Sequence, residues 1–327
     1  MAKPSALSRA LALPLTSCIA AALALITVVQ FFATNGTYNY SYIPLSSLET
    51  ELYKQVNPKL VLKQNKPTCN YEEIVKRTDS INNWEVPEKF DNFSPAGIVN
   101  GSYTPTDCNP QFSVAILVTY RNRQKQLDVF LPYMHNFLRK QNIHYKIYVI
   151  EQQDEKPWNK GTLYNIGAKY AIAEKFPCLI LHDVDLLPLS SGTLYACMRA
   201  PRHMSASIDK FRFVLPYPEL VGGVLAVRAD HYTRLNGFSN RFQHWGGEDD
   251  DFYARIKDEQ LGVVRFPRQL SQYTMLVHQQ EPVNGDVWRV LRDNRRRAHA
   301  RDGLSSAAYD SVRLAPHRLF TLLAVKL

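Results

Sequence analysis

Seven residues, Val114-Ala-Ile-Leu-Val-Thr-Tyr120, form an uncharged run rich in β-branched side chains. That is the pattern of a short strand buried on both faces. Leu127 to Lys140 then has helical spacing, and Tyr145-Lys-Ile-Tyr-Val-Ile150 reads as a second strand. Strand, helix, strand implies a right-handed crossover and a parallel pair. A helix from Trp158 to Ala171 and a third strand, Cys178-Leu-Ile-Leu-His182, continue the alternation. In such sheets ligands bind beyond the carboxyl ends of the strands. Arg121 and Arg123 follow the first strand, and arginine forks suit phosphate oxygens. The plainer reading is surface charge on a loop.

Asp183-Val184-Asp185 follows the third strand. Acids two apart on extended backbone point to one side, where they can hold a hard divalent cation bridging to phosphates. An Asp-rich turn is the alternative. Tyr217-Pro-Glu-Leu220-Val221-Gly222-Gly223-Val224 carries a glycine pair that allows close approach of a ligand, and it leads into a strand-like Leu225-Ala-Val227. His244-Trp245-Gly246-Gly247-Glu248-Asp249-Asp250-Asp251 gathers four consecutive acids behind a Trp and two glycines. Phe252, Tyr253 and Ile256 have the spacing of a helix face. Like charges repel, and a helix N-terminus is one counter-charge that tolerates them. The stretch reads as a loop that delivers a Trp and carboxylates to a site, against a solvated acidic helix start. Met275-Leu-Val-His278 places a thioether three residues before an imidazole. On spacing alone this is a core Met beside a satisfied His, since thioethers are unusual ligands for a manganese-type ion.

The N-terminus constrains placement. Lys3 and Arg9 precede an uncharged run from Ala10 to Ala33, long enough to span a bilayer, with no small-residue cleavage site. The basic flank predicts residues 1–9 in the cytosol, a signal anchor over 10–33, and the remainder in the lumen of the secretory pathway. Sequons at Asn35, Asn39, Asn92 and Asn100 and four cysteines beyond the anchor agree with an oxidising, glycosylating compartment. The stretch 34–107, rich in Asn, Pro, Ser, Thr and Tyr, reads as stem and lead-in, with a catalytic domain over 108–327. The net charge of +9 concentrates in Arg289 to Arg301 without interleaved aromatics, so it reads as a solvated helix face and not as a nucleic-acid surface.

These stretches, in this order, resemble the β-1,4-galactosyltransferase family, including its invertebrate N-acetylgalactosaminyl members. The combination of Asp183-Val-Asp185, Trp245-Gly-Gly-Glu-Asp-Asp-Asp251 and Met275-x-x-His278 carries the resemblance, which runs from Cys108 to about Leu304. It implies an α/β fold of the GT-A type, with a Rossmann-like nucleotide half and a mixed sheet behind the membrane anchor. It implies Asp185, Met275 and His278 as manganese ligands, and Arg121, Arg123, Trp158, Lys160, Asp183, Val184, Lys210, Leu220 and Trp245 as donor contacts. Asp249 takes the place of the catalytic base. Tyr217, Gly247, Glu248, Asp250 and Trp288 fall beside the acceptor sugar, and Cys69–Cys108 and Cys178–Cys197 match the family's disulfides.

The implied activity is an inverting transfer of GalNAc or Gal from a UDP-sugar, in β-1,4 linkage, to a terminal sugar such as β-GlcNAc on glycoproteins or glycolipids. A Golgi type II membrane protein is the implied setting. Strict UDP-Gal use, a xylose acceptor, and a catalytically silent glycan-binding relative are the alternatives. His182 to Leu189 and Ser239 to Phe242 are similar to the xylose-accepting branch, whereas Gly247, the four acids and the cysteines lean towards the N-acetylglucosamine-accepting one. Two departures stand out: Trp158-Asn-Lys160 replaces the usual Phe-Asn-Arg, and Val287-Trp288 stands where an Arg-Phe pair contacts the acceptor's acyl group. The Trp245 loop and the segment from Gln279 to Arg301 are the candidate lids.

Overall fold

The computed structural model describes residues 14–35, 40–77, 94–296 and 299–327. The predicted cytosolic tail, the start of the anchor, part of the stem and the sequons at Asn39 and Asn92 lie outside these residues. Two units separate between Asn39 and Tyr40. In the first, helix α1 spans Leu15–Asn35, 21 residues without an acidic or basic side chain. Among the described residues, no helix is long and apolar enough to cross a membrane.

In the second unit, strand β1 is Ser102–Tyr103, β2 Ser113–Tyr120, helix α2 Gln124–Arg139, and β3 His144–Gln152. Helix α3, Lys160–Ala173, leads to β4, Cys178–Asp183, and β5, Leu186–Pro188. Then come β6, Arg202–His203, β7, Ser207–Ile208, β8, Val224–Arg228, and α4, Ala229–Arg234. Helix α5, Glu248–Asp258, β9, Gln272–Met275, α6, Val287–Arg296, β10, Ser311–Pro316, and β11, Thr321–Lys326, complete the unit.

The main sheet has the order β10-β11-β3-β2-β4-β8-β6, with β1 against β3. Strands β11, β3, β2 and β4 run parallel, while β8, β6 and β10 are antiparallel to their neighbours. The expected mixed α/β sheet is therefore present. All of β2 is buried, and its alternation explains why: Val114, Ile116, Val118 and Tyr120 pack with α2, while Ala115 and Leu117 pack with α3. Burial of both faces makes the run continuously apolar.

Register places the chemistry. Thr119 pairs with Asp183, so the carboxyl ends of β2 and β4 lie side by side. Strand β8 runs the opposite way, with Val224 against His182, which brings Gly222 and Gly223 to the same edge. A second sheet, β5-β9-β7, pairs Leu186 with Met275 and draws the Met275–His278 stretch up to Asp185.

The stem expectation meets a different boundary. Residues 40–77 and 94–107 belong to the second unit, and Leu48, Leu52, Tyr71 and Ile74 are buried in its core. Their polar composition hides single turns at Leu48–Glu51 and Glu72–Val75, which bury Leu48 and Ile74 with Val75 in the core. Both expected disulfides are formed, Cys69–Cys108 and Cys178–Cys197. The first fastens part of the lead-in to the residues preceding β2.

Candidate active site

A cleft of about 390 Å³ opens at the carboxyl edge of the sheet. Three groups of polar side chains meet in it. The first centres on Lys160. Asn159 caps α3 by accepting from the Thr162 amide at 3.0 Å, which starts the helix at Lys160. The Lys160 Nζ lies 2.9 Å from Asp183 Oδ1, 3.6 Å from Glu248 Oε1 and 3.8 Å from Asp249 Oδ2. Burial opposes the ammonium charge, but Asp183, Asp249 and Glu248 outweigh it and hold the Lys160 pKa well above its ordinary value. The Tyr164 hydroxyl donates to Asp183 Oδ1 at 3.2 Å. Burial, with Asp185 nearby, leaves the Asp183 carboxyl raised in spite of Lys160.

The acidic quartet divides by helical geometry. Gly246 and Gly247 both have positive φ, and Gly247 sits at the N-cap of α5 with φ 91°. The four acids therefore fill one helical turn, about 100° apart, and point in different directions. Asp249 faces the cleft, and Asp250 Oδ1 accepts from the Tyr217 hydroxyl at 3.0 Å. Glu248 is buried beside Lys160, with its Oε2 unpartnered among the described residues. Asp251 turns inward, 2.8 Å from the buried Arg255 guanidinium, and accepts from Asn294 at 2.8 Å. Asp251 thus holds α5 against α6.

Burial pushes the Asp249 carboxyl up to about 8, with Glu248, Asp183 and Asp250 adding to the rise and Lys160 opposing it. A carboxylate titrating near neutral pH suits a general base. Gly222 gives it room, since a methyl group there would stand 2.4 Å from Asp249 Oδ2. Gly222 thus stands close against a protein carboxylate, and both glycines of the pair line the cleft.

The second group is Asp185, Met275 and His278. His278 Nε2 and Asp185 Oδ2 are 2.7 Å apart, and His278 Nδ1 is 2.9 Å from the Gln279 carbonyl. The hydrogen bond to Asp185 is the main cause of a raised His278 pKa. The Leu276 amide donates to the Asp185 carbonyl at 2.7 Å, and Met275 lines the same cleft. One carboxylate and one imidazole converging on a point beside a thioether fit a divalent cation. Among the described residues, no group of three or more His, Cys, Asp or Glu side chains gathers around one such point. Met275 packs against the core and His278 is satisfied by Asp185 and the Gln279 carbonyl, as the spacing suggested, and both residues also line the cleft.

The third group is Arg121 and Arg123. Arg121 lies over the Trp158 ring, 5.3 Å from its centroid, and donates to the Lys156 carbonyl at 2.8 Å. Both arginines face Glu281, at 3.3 and 3.7 Å. Glu281 was not legible as a site residue, because nothing in its local sequence marks it. Lys210, Leu220, Val184 and Trp245 also line the cleft. Trp245 is half-exposed, and its amide donates to the Pro282 carbonyl at 2.9 Å while its carbonyl accepts from Asn284 at 3.0 Å. The two candidate lids are therefore hydrogen-bonded to each other. Gly247 lies behind the cleft against Phe242 and Val287. Trp288 is 80 % exposed on α6 and lies outside the cleft lining.

Sequence profiles for the N-terminal region of glycosyl transferase group 7 and for the N-terminal domain of galactosyltransferase match residues 64–198 and 202–279. Rat β-1,4-galactosyltransferase 6 is 36% identical over 233 residues, which is 69% of this chain and 60% of the relative. Human β-1,4-galactosyltransferase 2 is 35% identical over 242 residues, 73% of this chain and 65% of that one. The chain thus spans about three-fifths of the length of such relatives. Among solved structures, the catalytic domain of Drosophila β-1,4-galactosyltransferase 7 with xylobiose aligns with TM-score 0.57 and 29% identity, covering 66% of this chain and 94% of that one. A mutant of that enzyme with manganese, UDP-Gal and xylobiose aligns with TM-score 0.55 and 30% identity over the same shares. By sequence and by fold, this chain belongs to the β-1,4-galactosyltransferase family.

Proposed function

We propose that the chain is an inverting glycosyltransferase, dependent on a divalent cation such as manganese, that moves Gal or GalNAc from a UDP-sugar to a terminal sugar in β-1,4 linkage. The observation that carries this reading is the convergence on one cleft of a carboxylate titrating near neutral pH, a carboxylate–imidazole pair and two arginines. Asp185 and His278, with Met275 beside them, would hold the cation. When bound, it neutralises the charge that builds on the departing diphosphate.

The chain's own residues supply the remainder. Arg121 and Arg123 offer guanidinium edges to diphosphate oxygens, and Trp158 offers a flat face to the base. Asp249 takes the proton of the attacking acceptor hydroxyl. One base with no protein nucleophile suits a single displacement, so an α-linked donor sugar gives a β-linked product. Lys160 keeps Asp249 and Asp183 from repelling one another. Asp250 and Tyr217, already hydrogen-bonded at the rim, are placed to receive the acceptor's hydroxyls.

Leu220 governs the donor sugar in this reading. It lines the cleft, half-buried, with its carbonyl accepting from Arg265 at 2.9 Å. An aliphatic side chain without a hydroxyl leaves an apolar wall for an acetyl methyl, so UDP-GalNAc should be used at least as well as UDP-Gal. The discrimination is modest, about 1–3 kcal/mol. A β-GlcNAc acceptor on a glycoprotein or glycolipid is the first reading. Xylose is the second, supported by the two fly structures that carry xylobiose. The uncharged run from Ala10 to Ala33 behind a basic flank, together with the two disulfides, supports a type II Golgi membrane protein with the catalytic unit in the lumen.

A panel of UDP-sugars against GlcNAc- and xylose-terminated acceptors, with purified protein and manganese, tests the proposal. Transfer that needs both donor and metal is the expected result. Glycan binding without any donor turnover would support a silent relative instead.

A further inference from the structure

Arg121 and Arg123 are the cleft's two guanidinium groups, and both are already engaged. Glu281 presents Oε2 to Arg121 at 3.3 Å and Oε1 to Arg123 at 3.7 Å, one oxygen to each cation. All three side chains are roughly four-fifths buried, so solvent screens the triad only in part. Glu281 belongs to the segment after the metal-binding stretch, and the same arginine tethers that segment by its backbone, with Arg123 donating to the Gln279 carbonyl. Gln126 donates to the Val277 carbonyl at 2.6 Å in the same manner. One residue further on, Pro282 accepts from the Trp245 amide.

Resting on the donor reading of this cleft, we propose that Glu281 is an internal stand-in for the donor's diphosphate. It neutralises Arg121 and Arg123 in the free protein, and UDP must displace it to bind. Competition for the same donors drives the exchange. Glu281 occupies guanidinium edges of both arginines in the cleft, and a diphosphate that takes those edges must displace its carboxylate from them. The carboxylate leaves the arginines when the diphosphate arrives. Glu281 is then a specificity-determining residue: a phosphorylated ligand repays the lost ion pairs, whereas a neutral nucleoside does not. It also keeps two largely buried guanidinium groups paired when the cleft is empty, which limits capture of stray anions.

The test is binding, measured by calorimetry in saturating manganese with UDP and with uridine as probes. Glu281→Gln keeps an acceptor oxygen for the arginines but removes the rival charge. It should tighten UDP by about three- to tenfold, the scale of one partly buried ion pair, and leave uridine unchanged. Glu281→Asp keeps the charge with a shorter reach and should fall between wild type and Glu281→Gln, which decides the question if the glutamine variant is poorly folded. Unchanged or weaker UDP binding in Glu281→Gln, with wild type binding normally, overturns the proposal and leaves the donor reading standing. Equal tightening of UDP and uridine also overturns it, because the effect would then be a loosened segment and not a released charge. Absence of UDP binding in wild type and variants alike refutes the donor reading, and this inference with it.

Discussion

Replacing Lys160 with methionine keeps the length and apolar stem of the side chain and removes only the charge. The ammonium stands 2.9, 3.6 and 3.8 Å from three carboxylates. At an effective dielectric constant near 20, each attraction is roughly 4–6 kcal/mol before desolvation is subtracted. Desolvation of Lys160 offsets much of that sum, and removing one member of such a buried set costs about 3–5 kcal/mol net. For a unit of this size, that corresponds to a fall in Tm of roughly 10 °C.

The deficit depends on pH. The folded pKa of Asp249 is raised from 3.8 to about 8, so the folded state holds more protons than the unfolded state between those values. Stability therefore falls as pH rises through that window. Losing Lys160 removes the one cause that opposes the rise, so Lys160→Met should deepen the fall at alkaline pH and move the acid limb of kcat/KM upward. Lys160→Arg, which restores the residue usual in the family, should keep both near wild type. Melting curves at pH 5 and pH 8 and a pH–rate profile in constant manganese measure the effect. A Lys160→Met protein that melts within a degree or two of wild type at pH 8, with an unmoved limb, would refute the assignment of Lys160 as counter-charge.

Four further outcomes are expected. Asp249→Asn should keep the fold and UDP binding but lose transfer by ~10²–10⁴-fold; normal transfer in this variant, alongside loss in Asp250→Asn, would move the base to Asp250. Gly222→Ala puts a methyl 2.4 Å from Asp249 Oδ2. It should lower kcat more than it weakens donor binding, and a wild-type kcat would show that the carboxylate can move aside freely. Asp185→Ala and His278→Ala should each weaken manganese binding sharply, whereas Met275→Leu should alter metal preference more than affinity, as titrations with manganese and a softer ion would show. Leu220→Tyr should shift the donor ratio towards UDP-Gal, and an unchanged ratio in a wild type that strongly prefers UDP-Gal would end the pocket argument.

Much of this protein was legible one stretch at a time. Continuous apolar runs fix strands buried on both faces, because no other placement hides every side chain, and Val114–Tyr120 and Cys178–His182 became β2 and β4 accordingly. Short-range spacing predicted that Asp183 and Asp185 end a strand and that Gly247 opens a helix. What the sequence left open is what each acid in a row of four faces. Asp249 and Asp251 look alike in sequence, yet one lines the cleft and the other binds Arg255, because a helix turns about 100° per residue and its two sides meet different neighbours. By spacing Met275 read as core and His278 as a satisfied imidazole; that both also line the cleft follows from β9 pairing with β5 beside Asp185, with Leu186 against Met275, 89 residues apart. Residues 40–77 read as loose, since their polar composition masks the few apolar side chains that dock on a sheet formed much later in the chain. The contact of Glu281 with both arginines has no local signature, because an ion pair across 160 residues is set by tertiary packing alone.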